Sequence, residues 1–341
     1  MRKFLVILAV GFQIALLAGM AGQREFIFRT GKIVYLRTRP VDPQDLFRGE
    51  YARLDYDISH VNRSFLRDGL TKISDETDGR KCRRVYAVLN APDNGPAELL
   101  CLTDKKPKEG TFIRGWLQHY YGYNTMAEVQ YGIEAFFVEQ GSSQKLQRPR
   151  RQDIALTLEM ETALGKNGTA VLKGYHFPPL ALGIEPNFVR DPNGTSISPR
   201  QRIKYVTLKL LNASDKPIAI VDLPDGRSFS LEQDSTGYRP DQWQWVGRNT
   251  PRSAPQNSDV HVLKPDEIYE VRIDLTNPDW FVTRKDQSPS PLSVLEWQSF
   301  RLVYRPPPKE QCKDLDNADI IWQGYLLSPA FTSSRGFLGF D

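Results

Sequence analysis

Cysteine and histidine are scarce in this chain, and neither falls in a spacing that their chemistry needs. The three cysteines, Cys82, Cys101 and Cys312, include no C-x-x-C pair, which argues against a dithiol redox centre. The four histidines, His60, His119, His176 and His261, are scattered. No H-E-x-x-H segment brings two imidazoles to one helix face, so a zinc hydrolase of that type is excluded. There is no G-x-S-x-G elbow and no Walker loop. Neither sign of charge is in excess: a net charge of +4 with 25% charged residues gives no basic field for nucleic acid, and no nucleic-acid partner is expected. Long apolar runs are also missing, except at the start of the chain.

That exception sets the compartment. Arg2 and Lys3 precede a run from Phe4 to Met20 that is apolar apart from Gln13. A helix of this length approaches the ~30 Å of a hydrocarbon core at ~1.5 Å per residue. Residues 1–23 are therefore read as a transmembrane anchor or a signal peptide, and no cysteine follows the run to carry a lipid. Arg2 and Lys3 are expected to stay inside, leaving a single-pass protein of the inner or plasma membrane with its body exported to the periplasm or beyond.

The body reads as all-β, with short alternating segments and no sustained helical period. Residues 24–176 predict one antiparallel domain, barrel- or sandwich-like, with strands at 33–38, 51–58, 85–89, 99–102, 111–117, 134–138, 154–160 and 169–174. Residues 177–202 carry Pro178, Pro179, Pro186, Pro192 and Pro199 and read as a Pro-rich linker without regular structure. Residues 203–341 then offer about seven alternating segments, the pattern of an immunoglobulin-like β-sandwich. Between Val85–Leu89 and Glu98–Leu102, Pro92-Asp93-Asn94-Gly95 predicts a hairpin turn that would bring Cys82 and Cys101 together, a candidate disulfide. Trp243 and Trp245 could stack on a ligand or cap a sandwich edge, and Tyr120, Tyr121, Tyr123 and Tyr131 could line a groove or simply pack. The basic run Lys145, Arg148, Arg150 and Arg151 would touch anionic lipid if it faced the membrane, and is otherwise a solvated loop.

One stretch is more specific. Gly49, Glu50, Tyr51, Leu54 and Tyr56 stand at the spacing G-[acid]-Y-x-x-L-x-Y, with Asp42-Pro43 and Asp45 leading in. The stretch resembles the GDYXXLXY family, and Tyr131-Gly132-Ile133-Glu134 also resembles the family pattern. The resemblance covers residues 4–175 and implies a bacterial protein with an N-terminal membrane segment and no assigned activity. Glu50 stands where the family has Asp, keeping the charge but lengthening its reach.

In a strand, Ala52, Leu54, Tyr56 and Ile58 share one face and Tyr51, Arg53, Asp55 and Asp57 the other. The first set suits a core. The second is either a solvated face or a recognition surface of Glu50, Tyr51, Arg53 and Asp55, joined by Glu134. Asp42, Asp45, Glu50, Asp55 and Glu134 lack the spacing of a calcium loop, so no metal site and no cofactor is expected. The resulting expectation is a non-enzymatic binding or assembly module for another envelope protein. The alternative is an extracytoplasmic hydrolase or carbohydrate-binding enzyme that uses acids near Glu50 and Glu134.

Overall fold

The computed structural model describes residues 2–38, 51–72, 82–92, 95–121, 126–137, 150–152, 154–190, 201–233, 244–245, 254–277, 280–283, 290–291, 299–332 and 334–335. Among the described residues one long helix, α1 (Arg2–Thr30), leads into strands joined by loops and short 3-10 turns. At ~1.5 Å per residue its 29 residues reach ~43 Å, more than the ~30 Å hydrocarbon core. It is long and apolar enough to cross a membrane, and it continues past Gln23 without a break.

Next come β1 (Lys32–Arg37), β2 (Tyr51–Arg53), β3 (His60–Asn62), β4 (Arg83–Asn90), β5 (Glu98–Thr103) and β6 (Thr111–Tyr121). They are followed by β7 (Met126–Gln130), β8 (Ala135–Phe137), β9 (Arg150–Arg151), β10 (Ile154–Ala155), β11 (Glu159–Leu164) and β12 (Ala170–His176). All the ladders among them are antiparallel: a five-stranded sheet in the order β3-β7-β6-β4-β5, a three-stranded sheet β1-β11-β12, and the pairs β2-β8 and β9-β10. Bridges from Tyr35 to Pro96 and from Thr38 to Tyr56 stitch the sheets into a nearly closed wall. Inside it lies one core built from alternate residues, including Val34, Leu36, Tyr56, Val61, Val85, Ile113 and Met160. The expected strand at 154–160 divides, because Ile154–Ala155 turns back on Arg150–Arg151 before Glu159 opens the ladder with β1.

The stretch 177–202, read as a linker without regular structure, is corrected by β13 (Leu180–Arg190). It forms a long antiparallel hairpin with β14 (Gln201–Asn212), and Pro186 stands opposite Val206 within the ladder. The sheet order β13-β14-β19 explains how, with β19 at Ile268–Asp274: β13 is an edge strand, where a missing N–H need not break a ladder. Further on lie β15 (Ile218–Val221), β16 (Phe229–Gln233), β17 (Gln244–Trp245) and β18 (Val260–Leu263). After β19 come β20 (Phe281–Thr283), β21 (Ser290–Pro291), β22 (Ser299–Tyr304), β23 (Leu326–Leu327), β24 (Phe331–Thr332) and β25 (Ser334–Arg335). The β13-β14-β19 sheet and a second one, β16-β22-β23, share a core that includes Leu208, Leu210, Phe229, Val271, Phe300 and Tyr304.

The expected Cys82–Cys101 disulfide does not form, and both residues are free thiols. The β4-β5 hairpin exists, but its register sets Cys101 opposite Val88. Cys82 lies six positions back along the chain, ~20 Å at the strand rise.

The two cores meet at a polar seam. Arg37, buried on β1, donates through Nη2 to the Tyr325 carbonyl at 2.8 Å and to Glu159 Oε1 at 3.4 Å, and its guanidinium lies 4.6 Å from the Tyr325 ring centre. Burial works against this charge, and Tyr325, Glu159 and Asp57 more than offset it, so the Arg37 pKa is raised. Glu159, equally buried, also faces His176 Nε2 at 3.2 Å. Nearby, Arg305 pairs with Glu98, and Arg301 comes within 4.0 Å of Asp57.

Candidate functional site

The specific stretch is only briefly a strand. Tyr51, Ala52 and Arg53 pair with Phe137, Phe136 and Ala135 of β8. The backbone N–H of Leu54 then donates to the Glu134 carbonyl at 2.7 Å, and Tyr56 moves over to bridge Thr38, just past β1. The alternation persists through this change of neighbours: Leu54, Tyr56 and Ile58 are buried, while Arg53 is exposed and Asp55 half-buried. Asp55 Oδ2 lies 2.9 Å from His60 Nε2. Gly49 and Glu50, like Asp42, Pro43 and Asp45, lie outside the described residues.

The second stretch is a turn that the first one clasps. Gly132 takes φ +78°, a left-handed conformation that suits glycine. The Glu134 carboxylate accepts from the Tyr131 N–H at 2.5 Å and from the Gly132 N–H at 2.9 Å, fixing that turn. Two phenols then cross: the Tyr56 hydroxyl donates to the Ile133 carbonyl, and the Tyr131 hydroxyl donates to the Ile58 carbonyl, each at 2.7 Å. Burial, followed by the charge of Glu134, pushes both phenols above the ordinary tyrosine range, which keeps them protonated as donors. The two short patterns, some 75 residues apart, are therefore one structural unit.

The family model described as GDYXXLXY protein matches residues 13–174, from within α1 nearly to the end of β12. Over those residues, just under half of the chain, the sequence is similar to the GDYXXLXY family. No curated protein matches the chain. The GDYXXLXY match takes in both halves of the clasp and the sheets that hold it.

Within the GDYXXLXY unit, two of the acids weighed as candidate site residues already have close partners: Asp55 faces His60, and Glu134 binds the turn. Tyr131, considered as a groove residue, is a core residue with its hydroxyl bonded. Tyr123, Trp243, Lys145 and Arg148 lie outside the described residues. Among the described residues, no group of three or more His, Cys, Asp or Glu is placed to hold a metal ion. A shallow concavity of about 330 Å³ lies elsewhere, lined by Ile184, Pro186, Phe188 and Phe331 among others, and no residue of the clasp reaches it.

Sequence reasoning missed one polar chain beyond the family match. His261 stacks on Tyr269 with ring centres 4.4 Å apart, and its Nε2 lies 3.1 Å from the Tyr269 hydroxyl, which donates to Asp222 Oδ2 at 3.1 Å. Burial first, and Asp222 second, push the Tyr269 phenol up to about 12. The alternation of 269–275 placed Tyr269 on a strand, but no spacing rule links it to a histidine on β18, whose ladder partner is β15.

Proposed function

We propose that this chain is a non-enzymatic, membrane-anchored binding or assembly module that engages another envelope protein. The observation that carries the reading is the commitment of the family residues to the fold. Leu54 and Tyr56 are core, Tyr56 and Tyr131 tie the two segments together, and Glu134 spends its carboxylate on backbone N–H groups. Both of its oxygens are held by N–H groups of the turn that it closes, so Glu134 is part of the scaffold. Exposed Arg53, with half-buried Asp55 beside it, is what this rigid unit offers to a partner.

In the same reading, α1 is a retained single-pass anchor of the inner or plasma membrane, and the body is extracytoplasmic. The family domain occupies residues 24–176, and the chain from β13 onward forms a second domain of immunoglobulin-like sandwich layout. A reporter active only outside the cytoplasm, fused after residue 341, should be active, and a cytoplasmic signal would reverse the orientation.

The partner-binding claim is tested by a photoreactive residue placed at Arg53 in the full chain in cells. The expected result is one reproducible envelope-protein adduct, absent when the same group stands at Leu100, an exposed position on β5. Identical adducts from both positions, or none from Arg53, would overturn it.

A further inference from the structure

We propose that the end of the β body next to α1, carrying Lys32, Lys106, Lys108 and Lys166, is a docking face for an anionic bilayer surface. The proposal rests on the anchor reading of α1. It holds for whichever leaflet the body faces.

The geometry begins at the join between helix and sheet. The Gly31 N–H donates to the Ile27 carbonyl at 2.8 Å, and Lys32 opens β1 at once. A Cβ at Gly31 would stand 2.6 Å from the Ile27 oxygen and 3.0 Å from the Leu164 oxygen, so helix end and strand end are pressed together. Ile27 is buried against Ala163 and Val171. A Cβ at Gly165 would lie only 3.0 Å from the Ile27 side chain, which brings the β11-β12 turn and its exposed Lys166 beside the last helical turn.

A second loop converges on the same place. Lys32 Nζ donates to Thr111 Oγ1 at 2.7 Å, and the Arg114 N–H donates to the Gly168 carbonyl at 2.8 Å. The β5-β6 loop, residues 104–110, therefore ends at Lys32, bringing exposed Lys106 and Lys108 with it, while Lys105 pairs with Asp68 at 2.9 Å. Glu109 is the exposed acid of this loop and Glu25 is engaged by Arg29, leaving cations in the majority at this end.

Height decides what these lysines meet. Ile27 lies four residues, ~6 Å, beyond Gln23, and each headgroup layer is ~5–8 Å thick. Lys32 just past the helix and Lys166 on the turn at Gly165 therefore stand at headgroup level, with the 104–110 loop joined to them through Thr111. Phe26 and Phe28, both exposed, occupy the same level, with Lys173 Nζ 5.3 Å from the Phe28 ring centre.

The basic run considered for lipid contact from sequence is differently placed. Arg150 and Arg151 pair with Ile154–Ala155, which leads to Leu158, and the Leu158 carbonyl accepts from the Thr38 N–H beyond the far end of β1. That end is ~20 Å of strand away from the helix.

The test uses the full-length protein in nanodiscs of phosphatidylcholine alone or mixed with phosphatidylglycerol, read by backbone hydrogen exchange. Exchange across 104–110 and 165–169 should slow by about fivefold or more in the anionic discs, the scale expected for a single surface lysine. The slowing should vanish at ~1 M salt, where the screening length is ~3 Å. It should also vanish in the K106E/K108E/K166E variant, with core strands exchanging as before to show that the fold is intact. Equal exchange in the two lipids, or slowing that survives the triple variant, would overturn the docking face while leaving the anchor in place. A chain that fails to travel with the discs would overturn the anchor and the docking face together.

Discussion

The Tyr56 hydroxyl donates to the Ile133 carbonyl at 2.7 Å, deep in the core, across 77 residues of sequence. Its counterpart, Tyr131 to Ile58, runs the other way. Each bond satisfies a carbonyl that water would not otherwise reach, so the two segments lock each other in register.

Removing either phenol oxygen should therefore be costly. Tyr56→Phe and Tyr131→Phe each leave a buried carbonyl unpaired, which costs about 1–3 kcal/mol. Because they act on the same unit, the double variant should depart from additivity by about 0.5 kcal/mol or more. Denaturant titration of the four proteins of the cycle measures this, and strict additivity would mean that the bonds act independently.

The turn at Gly132 separates backbone strain from bonding. A Cβ there would meet nothing within 4 Å, so Gly132→Ala should cost only the left-handed conformation, roughly 1–2 kcal/mol. Glu134→Ala removes a charged acceptor from two N–H groups and should cost about 1.5–3 kcal/mol for each bond that was fully formed. Thermal unfolding of both variants gives the ranking. A larger loss for Gly132→Ala would show that the carboxylate contributes little to the turn.

Arg37 and Glu159 form a buried pair, and buried pairs respond unequally to single and double changes. Arg37→Met alone leaves the buried Glu159 carboxylate without its guanidinium partner, facing His176, and should destabilise by about 3–5 kcal/mol. The double change to Arg37→Met with Glu159→Leu should recover most of that loss, because no uncompensated charge remains. Chemical denaturation would decide, and a double variant as unstable as the single one would count against the pair.

Alkaline pH should undermine the fold. Burial raises the phenols of Tyr56, Tyr131, Tyr304 and Tyr325 above their ordinary value near 10. Above pH ~10 the unfolded chain gives up protons that the folded chain retains, so the folded state binds more protons and stability falls as pH rises. Below that pH these groups contribute no pH dependence. Tyrosinate absorbance should show exposed phenols ionising first and the buried set only as circular dichroism is lost. Ionisation of every tyrosine near pH 10 with the fold intact would contradict this.

The half-buried periodicity of Leu54, Tyr56 and Ile58 was legible in the sequence, because alternation depends only on which face a residue takes. That Tyr56 would reach Ile133 was not, since long-range register leaves no local trace. The same blindness explains Cys82 and Cys101: the hairpin was readable from its turn, its register was not. Pro186 misled for a different reason, because a proline breaks a strand only where its missing N–H has a ladder partner, and edge position is a property of the whole sheet. As for Asp55 and Glu134, their types suggested chemistry, and the local bonds that occupy them became visible only in three dimensions.

The join at Gly31 has a consequence for reach. A flexible tether would let the body sweep a volume and sample partners at many heights. A helix that passes straight into a sheet, sealed by Ile27 against Ala163 and Val171, removes that freedom. For the partner proposed above, encounters would then become lateral diffusion in a plane, with its surface met at the one standoff distance that this stalk allows.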